Sequence, residues 1–132
     1  GGTCKNQWKV YLEQKRRIDR LLGKVDVVVT DSPIILSAIY ARPELNDPAV
    51  YLKFHKRLLK ELAEYDNFNF FINRDKKKYQ QTGRIHTLEE AIVIDDNIKR
   101  FLEKHNIYYG RYYHSHMNLI ADNIESHLKK RQ

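Results

Sequence analysis

The sequence predicts an α/β protein, a partial three-layer α/β/α domain in which a short parallel sheet is flanked by helices. Three observations lead there. Val25-Asp26-Val27-Val28-Val29-Thr30 is a β-branched run of the kind buried on both faces of a parallel sheet. An aromatic run, Phe68 to Ile72, and a tyrosine-rich run, Ile107 to Tyr113, read as two further strands, each preceded by helical periodicity. The resulting order is helix, strand, helix, helix, strand, helix, strand, helix, and such alternation requires crossovers and therefore parallel pairing. At 132 residues the chain fits one domain spanning its whole length.

Each element has a local cause. From Lys5 to Leu22, apolar residues at Trp8, Tyr11, Leu12, Ile18, Leu21 and Leu22 make a helical stripe, and Gly23 stops it. The strand from Val25 ends at Asp31-Ser32-Pro33, since proline removes a ladder donor. A short helix from Ile34 to about Tyr40 is broken by Pro43. Asp47 then caps a helix that has Pro48 at its first position and places Val50, Tyr51, Phe54, Leu58, Leu59 and Leu62 on one face. After the aromatic strand, Arg74 to His86 is basic and polar and contains Gly83, which predicts an exposed connection. Thr87-Leu88-Glu89-Glu90 is a capping box and starts a helix to about Lys104. Gly110 interrupts the third strand, and a last helix from about Ser115 to Lys130 is expected to bury Met117, Leu119, Ile120, Ile124 and Leu128.

The bulk composition narrows the function classes. No apolar run approaches the roughly 18 residues that span a bilayer, so no membrane partner is expected. The single cysteine, Cys4, excludes an internal disulfide framework and fits a reducing cytoplasm; with no activating neighbour it reads as structurally incidental. The net charge of +7 makes a polyanionic partner plausible, nucleotide or nucleic acid, without separating the two. Lys15-Arg16-Arg17 and Lys129-Lys130-Arg131 read as solvated helix faces.

Asp31 is the first candidate for chemistry. Open α/β sheets bind ligands outside the carboxyl ends of their strands, where an acid can hold a water-ligated magnesium ion or take the proton of an attacking hydroxyl. The competing reading makes Asp31 or Ser32 the cap of a helix with Pro33 at its first position. His114 and His116 have the spacing of a metal pair on a strand, but no third ligand lies close in sequence, and a polar loop explains them. Asp95 and Asp96 diverge by about 100° on a helix and read as a solvated face.

Taken together, Val27-Val28-Val29-Thr30-Asp31-Ser32-Pro33, the aromatic strand, Arg74-Asp75-Lys76-Lys77-Lys78-Tyr79 and Gly83-Arg84-Ile85-His86-Thr87-Leu88-Glu89-Glu90-Ala91 resemble the P-loop kinases of nucleosides and nucleotides. They are similar in particular to the small phage and bacterial ATPase-like or kinase-like proteins of the AAA type. The resemblance runs from about Gln7 to Ile124 and rests on order and spacing. It implies a Walker B strand ending at Asp31 and a lid over residues 74–86. Asp31 would be the magnesium or base carboxylate, Arg84 the lid arginine that meets the transferring phosphoryl group, and Ser32, Arg74 and Lys78 nucleotide or phosphate contacts. Mg2+ and ATP are the implied cofactors, and a nucleoside, nucleotide or related small molecule is the implied acceptor.

The phosphate-binding sequence G-x-x-x-x-G-K-[ST] of that family does not occur in the chain. The resemblance is thus to the family's carboxyl-terminal part, with the loop expected from an upstream segment or a partner chain, and the chain by itself is expected to be inactive. Two alternatives come from other classes. Tyr108, Tyr109, Tyr112 and Tyr113 around Arg111 suit a basic module that binds nucleic acid non-specifically. A non-catalytic interaction domain that completes its sheet with a partner strand is the other.

Overall fold

The computed structural model describes residues 2–74 and 87–130. Among these residues the chain is a mixed α/β protein with five α-helices and a two-stranded parallel sheet, and it divides into two compact units, 1–67 and 68–132.

In the first unit, α1 (Cys4–Asp19) begins where the Thr3 side chain accepts from the Asn6 amide. The turn after α1 uses Gly23 at φ +78°, a left-handed conformation that a side chain would strain. Then come α2 (Leu36–Tyr40) and α3 (Pro48–Leu62). Asp47 caps α3 by accepting from the amides of Ala49 and Val50, with Pro48 at the first position as expected. Tyr11, Ile35 and Leu58 are fully buried where the helices meet, and Trp8 stacks between Tyr11 at 5.3 Å and Phe54 at 5.8 Å. Cys4 is not incidental: it lies in this core, burial pushes its thiol up, and its amide donates to Asn46 Oδ1 at 2.8 Å. Val50, placed on the buried face by its spacing, is 53% exposed in the first turn of α3.

The largest departure from expectation is at Val25 to Thr30, which forms no strand. Among the described residues no backbone–backbone hydrogen bond involves residues 25–32, and Val29 is 82% exposed. Composition gives the run its strand character, but a strand exists only against a neighbouring edge, and none is paired with it.

In the second unit, β1 (Phe70–Asn73) and β2 (Gly110–Tyr113) pair in parallel with Phe70 opposite Gly110 and Asn73 opposite Tyr113. Between them in sequence runs α4 (Leu88–Lys104), the crossover a parallel pair requires. Its capping box is present: the Glu90 amide donates to Thr87 Oγ1 at 3.1 Å and the Thr87 amide to Glu90 Oε1 at 3.5 Å. A 3-10 turn over His114–His116 leads into α5 (Met117–Lys130). Ala91, Leu102 and Ile120 are buried, whereas Met117 and Leu119, expected inside, are 49% and 55% exposed. A sheet of two four-residue strands is too small to cover the whole face of α5. Among the described residues no helix is long and apolar enough to cross a membrane.

Candidate functional site

Asp31 lies in the wall of a cleft of about 480 Å³ in the first unit, formed by Thr30, Asp31 and Ser32 on one side and by Gln14, Arg17 and Ile18 of α1 on the other. Residues 14, 17 and 18 are spaced i, i+3, i+4, so a single helix face meets the loop. The Gln14 amide nitrogen donates to the Ser32 carbonyl at 3.0 Å and fixes the loop on α1. That bond orients the amide, and the Gln14 oxygen is buried without a partner among the described residues.

Asp31 and Ser32 do not cap a helix. The next helix starts at Leu36 with Ile35 as its N-cap, and no side chain bonds there. Proline locks the dihedral of Pro33 before the turn, whose carbonyl accepts from the Leu36 amide at 3.0 Å. Asp31 and its two hydroxylic neighbours are therefore available to the cleft.

Arg17 supplies the cation. Its Nε donates to Glu13 Oε1 at 3.1 Å, while its terminal amino groups make no hydrogen bond among the described residues. Glu13 also accepts from Arg16, and that hydrogen bond holds its carboxyl below the usual range. Lys15, read from the sequence as solvated, is drawn into a cluster. Its ammonium donates to Tyr65 Oη and pairs with Asp19, both at 3.0 Å, and lies 3.8 Å from Glu61 Oε2. Tyr65 in turn donates to Asp19 Oδ1 at 2.6 Å. The hydrogen bond from Tyr65 holds the Asp19 carboxyl down, and the bonds to Tyr65 and Asp19 push the Lys15 ammonium up. Burial pushes up both the Tyr65 phenol and the carboxyl of Glu61, which also pairs with Arg57. The cluster ties α1 to the end of α3 and so braces the helix that faces Asp31.

Arg74 is engaged elsewhere. Its guanidinium grips Asp95 of α4 through Nε at 2.7 Å and a terminal nitrogen at 3.1 Å. A forked, partly buried pair of this kind holds β1 against α4, so Arg74 is a structural residue here and Asp95 is not part of a solvated face. Lys78, Gly83 and Arg84, with the rest of the expected lid over 75–86, lie outside the described residues. His114 and His116 fall in the 3-10 turn, where His116 Nδ1 accepts from the Tyr113 amide at 3.2 Å. Among the described residues no three potential metal-ligating side chains gather.

The sequence singled out Asp31 and Ser32 but not Gln14 or Arg17. Those residues lie on a helix more than a dozen positions upstream, and no local pattern joins them to the loop. Compared with protein-family models, curated proteins and solved structures, the chain matches none of them.

Proposed function

We propose that the chain carries the acid-bearing part of a kinase-like phosphotransferase acting on a nucleoside, nucleotide or related small hydroxyl compound. The observation behind this reading is the cleft that joins Asp31, the hydroxyls of Thr30 and Ser32, and the cationic Arg17. An acceptor hydroxyl entering it meets a carboxylate able to take its proton, and an anionic group on the same molecule meets the guanidinium. The donor set also suits magnesium, which binds through one or two carboxylates and keeps several waters. A magnesium ion bound there would neutralise charge on phosphate oxygens.

ATP itself is not well provided for. The chain has no G-x-x-x-x-G-K-[ST] sequence whose amides would cradle a triphosphate, so donor binding is assigned to an upstream segment or a partner chain.

The backbone of Val25 to Asp31, which makes no backbone–backbone hydrogen bond among the described residues, favours a second reading, an interaction domain completed by a partner strand. The two readings are compatible when the strand that pairs there also brings the phosphate loop. Magnesium titration of the isolated chain tests the first. Amide resonances of Thr30, Asp31 and Ser32 should shift saturably, and Asp31→Asn should abolish the shifts. Equal shifts in the variant would remove Asp31 from the site.

A further inference from the structure

We infer that two copies of the chain pair through Val25 to Asp31, strand against strand and antiparallel across a two-fold axis. The inference rests on the reading of this segment as an edge completed by a partner strand, and it names a second copy as that partner. Four valines in five positions, followed by a threonine, suit a pleated strand, yet among the described residues the run makes no backbone–backbone hydrogen bond. Its amides and carbonyls are the unfilled half of a ladder. The exposed valines also alternate. Val25, Val27 and Val29 are 48%, 39% and 82% exposed, whereas Val28 is half-buried. A step of two is the period of a strand, so the three exposed valines share one face once the segment is extended.

Self-complementarity selects a second copy. In an antiparallel pair, residues directly opposite each other share a face, and a two-fold axis then sets odd-numbered residues against odd-numbered ones. With the axis at Val27, that residue meets its own counterpart and Val25 meets Val29. This register alone buries all three exposed valines of each copy in one continuous patch. It also lays Lys24 opposite Thr30, so the exposed ammonium at the start of each strand lies beside the exposed Asp31 carboxylate at the end of the other. Asp26 comes opposite Val28, so no like charges are directly opposed. The axis makes every one of these contacts twice, and the bend at Asp26 straightens as the ladder forms. A strand has two edges, and pairing one with a second copy leaves the other for a segment that carries a phosphate loop.

The paired stretch from Lys24 to Thr30 is far shorter than the roughly 20–30 residues a side of a stable complex, so the dimer dissociates on dilution. Sedimentation equilibrium over about a hundredfold range of concentration, with hydrogen exchange at the Val25 to Asp31 amides, tests the inference. The dimer should grow with concentration, and protection of these amides should grow with it. Val27→Glu opposes two carboxylates at the axis and should raise the dissociation constant at least about tenfold, with an unchanged circular dichroism spectrum because the site is exposed. Under mild oxidation Val27→Cys should cross-link to its counterpart, while Val50→Cys, exposed on α3, should not; the native Cys4 is buried. A dimer unaffected by Val27→Glu, or equal cross-linking of the two cysteine variants, would overturn the inference. A chain monomeric at every concentration with unprotected amides would overturn the second copy as partner and leave the edge to a strand of another protein. A monomer with protected amides would remove the partner strand altogether.

Discussion

Tyr65→Phe removes one hydroxyl from the cluster that joins α1 to the end of α3. The phenol oxygen accepts from Lys15 and donates to Asp19, while the ring also lies under the Lys15 ammonium at 5.2 Å and would remain in the variant. A hydrogen bond to a charged partner contributes about 1.5–3 kcal/mol when sheltered, and the partial exposure of Lys15 and Asp19 reduces the two together to about 1–2 kcal/mol. For a unit of this size that corresponds to a fall of about 5–10 °C in Tm. The pH dependence follows from the direction of each shift. Lys15 and Tyr65 are both raised, so their contributions are complete at neutral pH and disappear as pH climbs through their folded values. Asp19 is lowered, so its contribution holds above its unfolded value and is lost as pH falls through the folded one. The stability difference between wild type and Tyr65→Phe should therefore be greatest around neutrality and shrink at both extremes. Urea denaturation from pH 3 to 11, followed by circular dichroism, measures it. A difference below about 0.3 kcal/mol at pH 7, or one that does not change with pH, would refute the reasoning.

Thr87→Ala should destabilise the second unit by about 1 kcal/mol in denaturant titration and Thr87→Ser should restore it, because the hydroxyl at the start of α4 accepts from the Glu90 amide. Arg74→Ala should cost about 1–3 kcal/mol by leaving the Asp95 carboxylate without its guanidinium, yet inorganic phosphate binding measured by calorimetry should not change. MgATP should bind the isolated chain weakly or not at all in a calorimetric titration, since the chain has no G-x-x-x-x-G-K-[ST] loop to hold the second and third phosphates; micromolar MgATP affinity would show a phosphate cradle that the sequence does not reveal.

What the sequence made legible is what a few neighbouring residues decide. Asp47-Pro48 and the Thr87 to Glu90 capping box placed the starts of α3 and α4 correctly because a cap is closed by atoms three residues away. The parallel pairing of the aromatic and tyrosine-rich strands followed from the helix between them. Val25 to Thr30 has the composition of a strand, but pairing depends on an edge that lies elsewhere, and the expected third strand is not formed. Burial failed in the same way at Met117 and Leu119, where periodicity gives a face but not the area of the sheet beneath it. At the candidate site, the acid was visible in the sequence because it ends a valine run before a proline. Gln14 and Arg17 were not, since only the fold brings them to Asp31.

The central claim is that the cleft at Asp31 receives the acceptor of a phosphoryl transfer, with Asp31 acting on its hydroxyl and Arg17 on its anionic group. Steady-state transfer from ATP to a nucleoside monophosphate, by the protein assembled with a phosphate-loop segment, tests it most directly. The account predicts that Asp31→Asn lowers kcat by about two to four orders of magnitude, while Arg17→Ala chiefly raises KM for the acceptor. Transfer that proceeds with wild-type kcat in Asp31→Asn would contradict it.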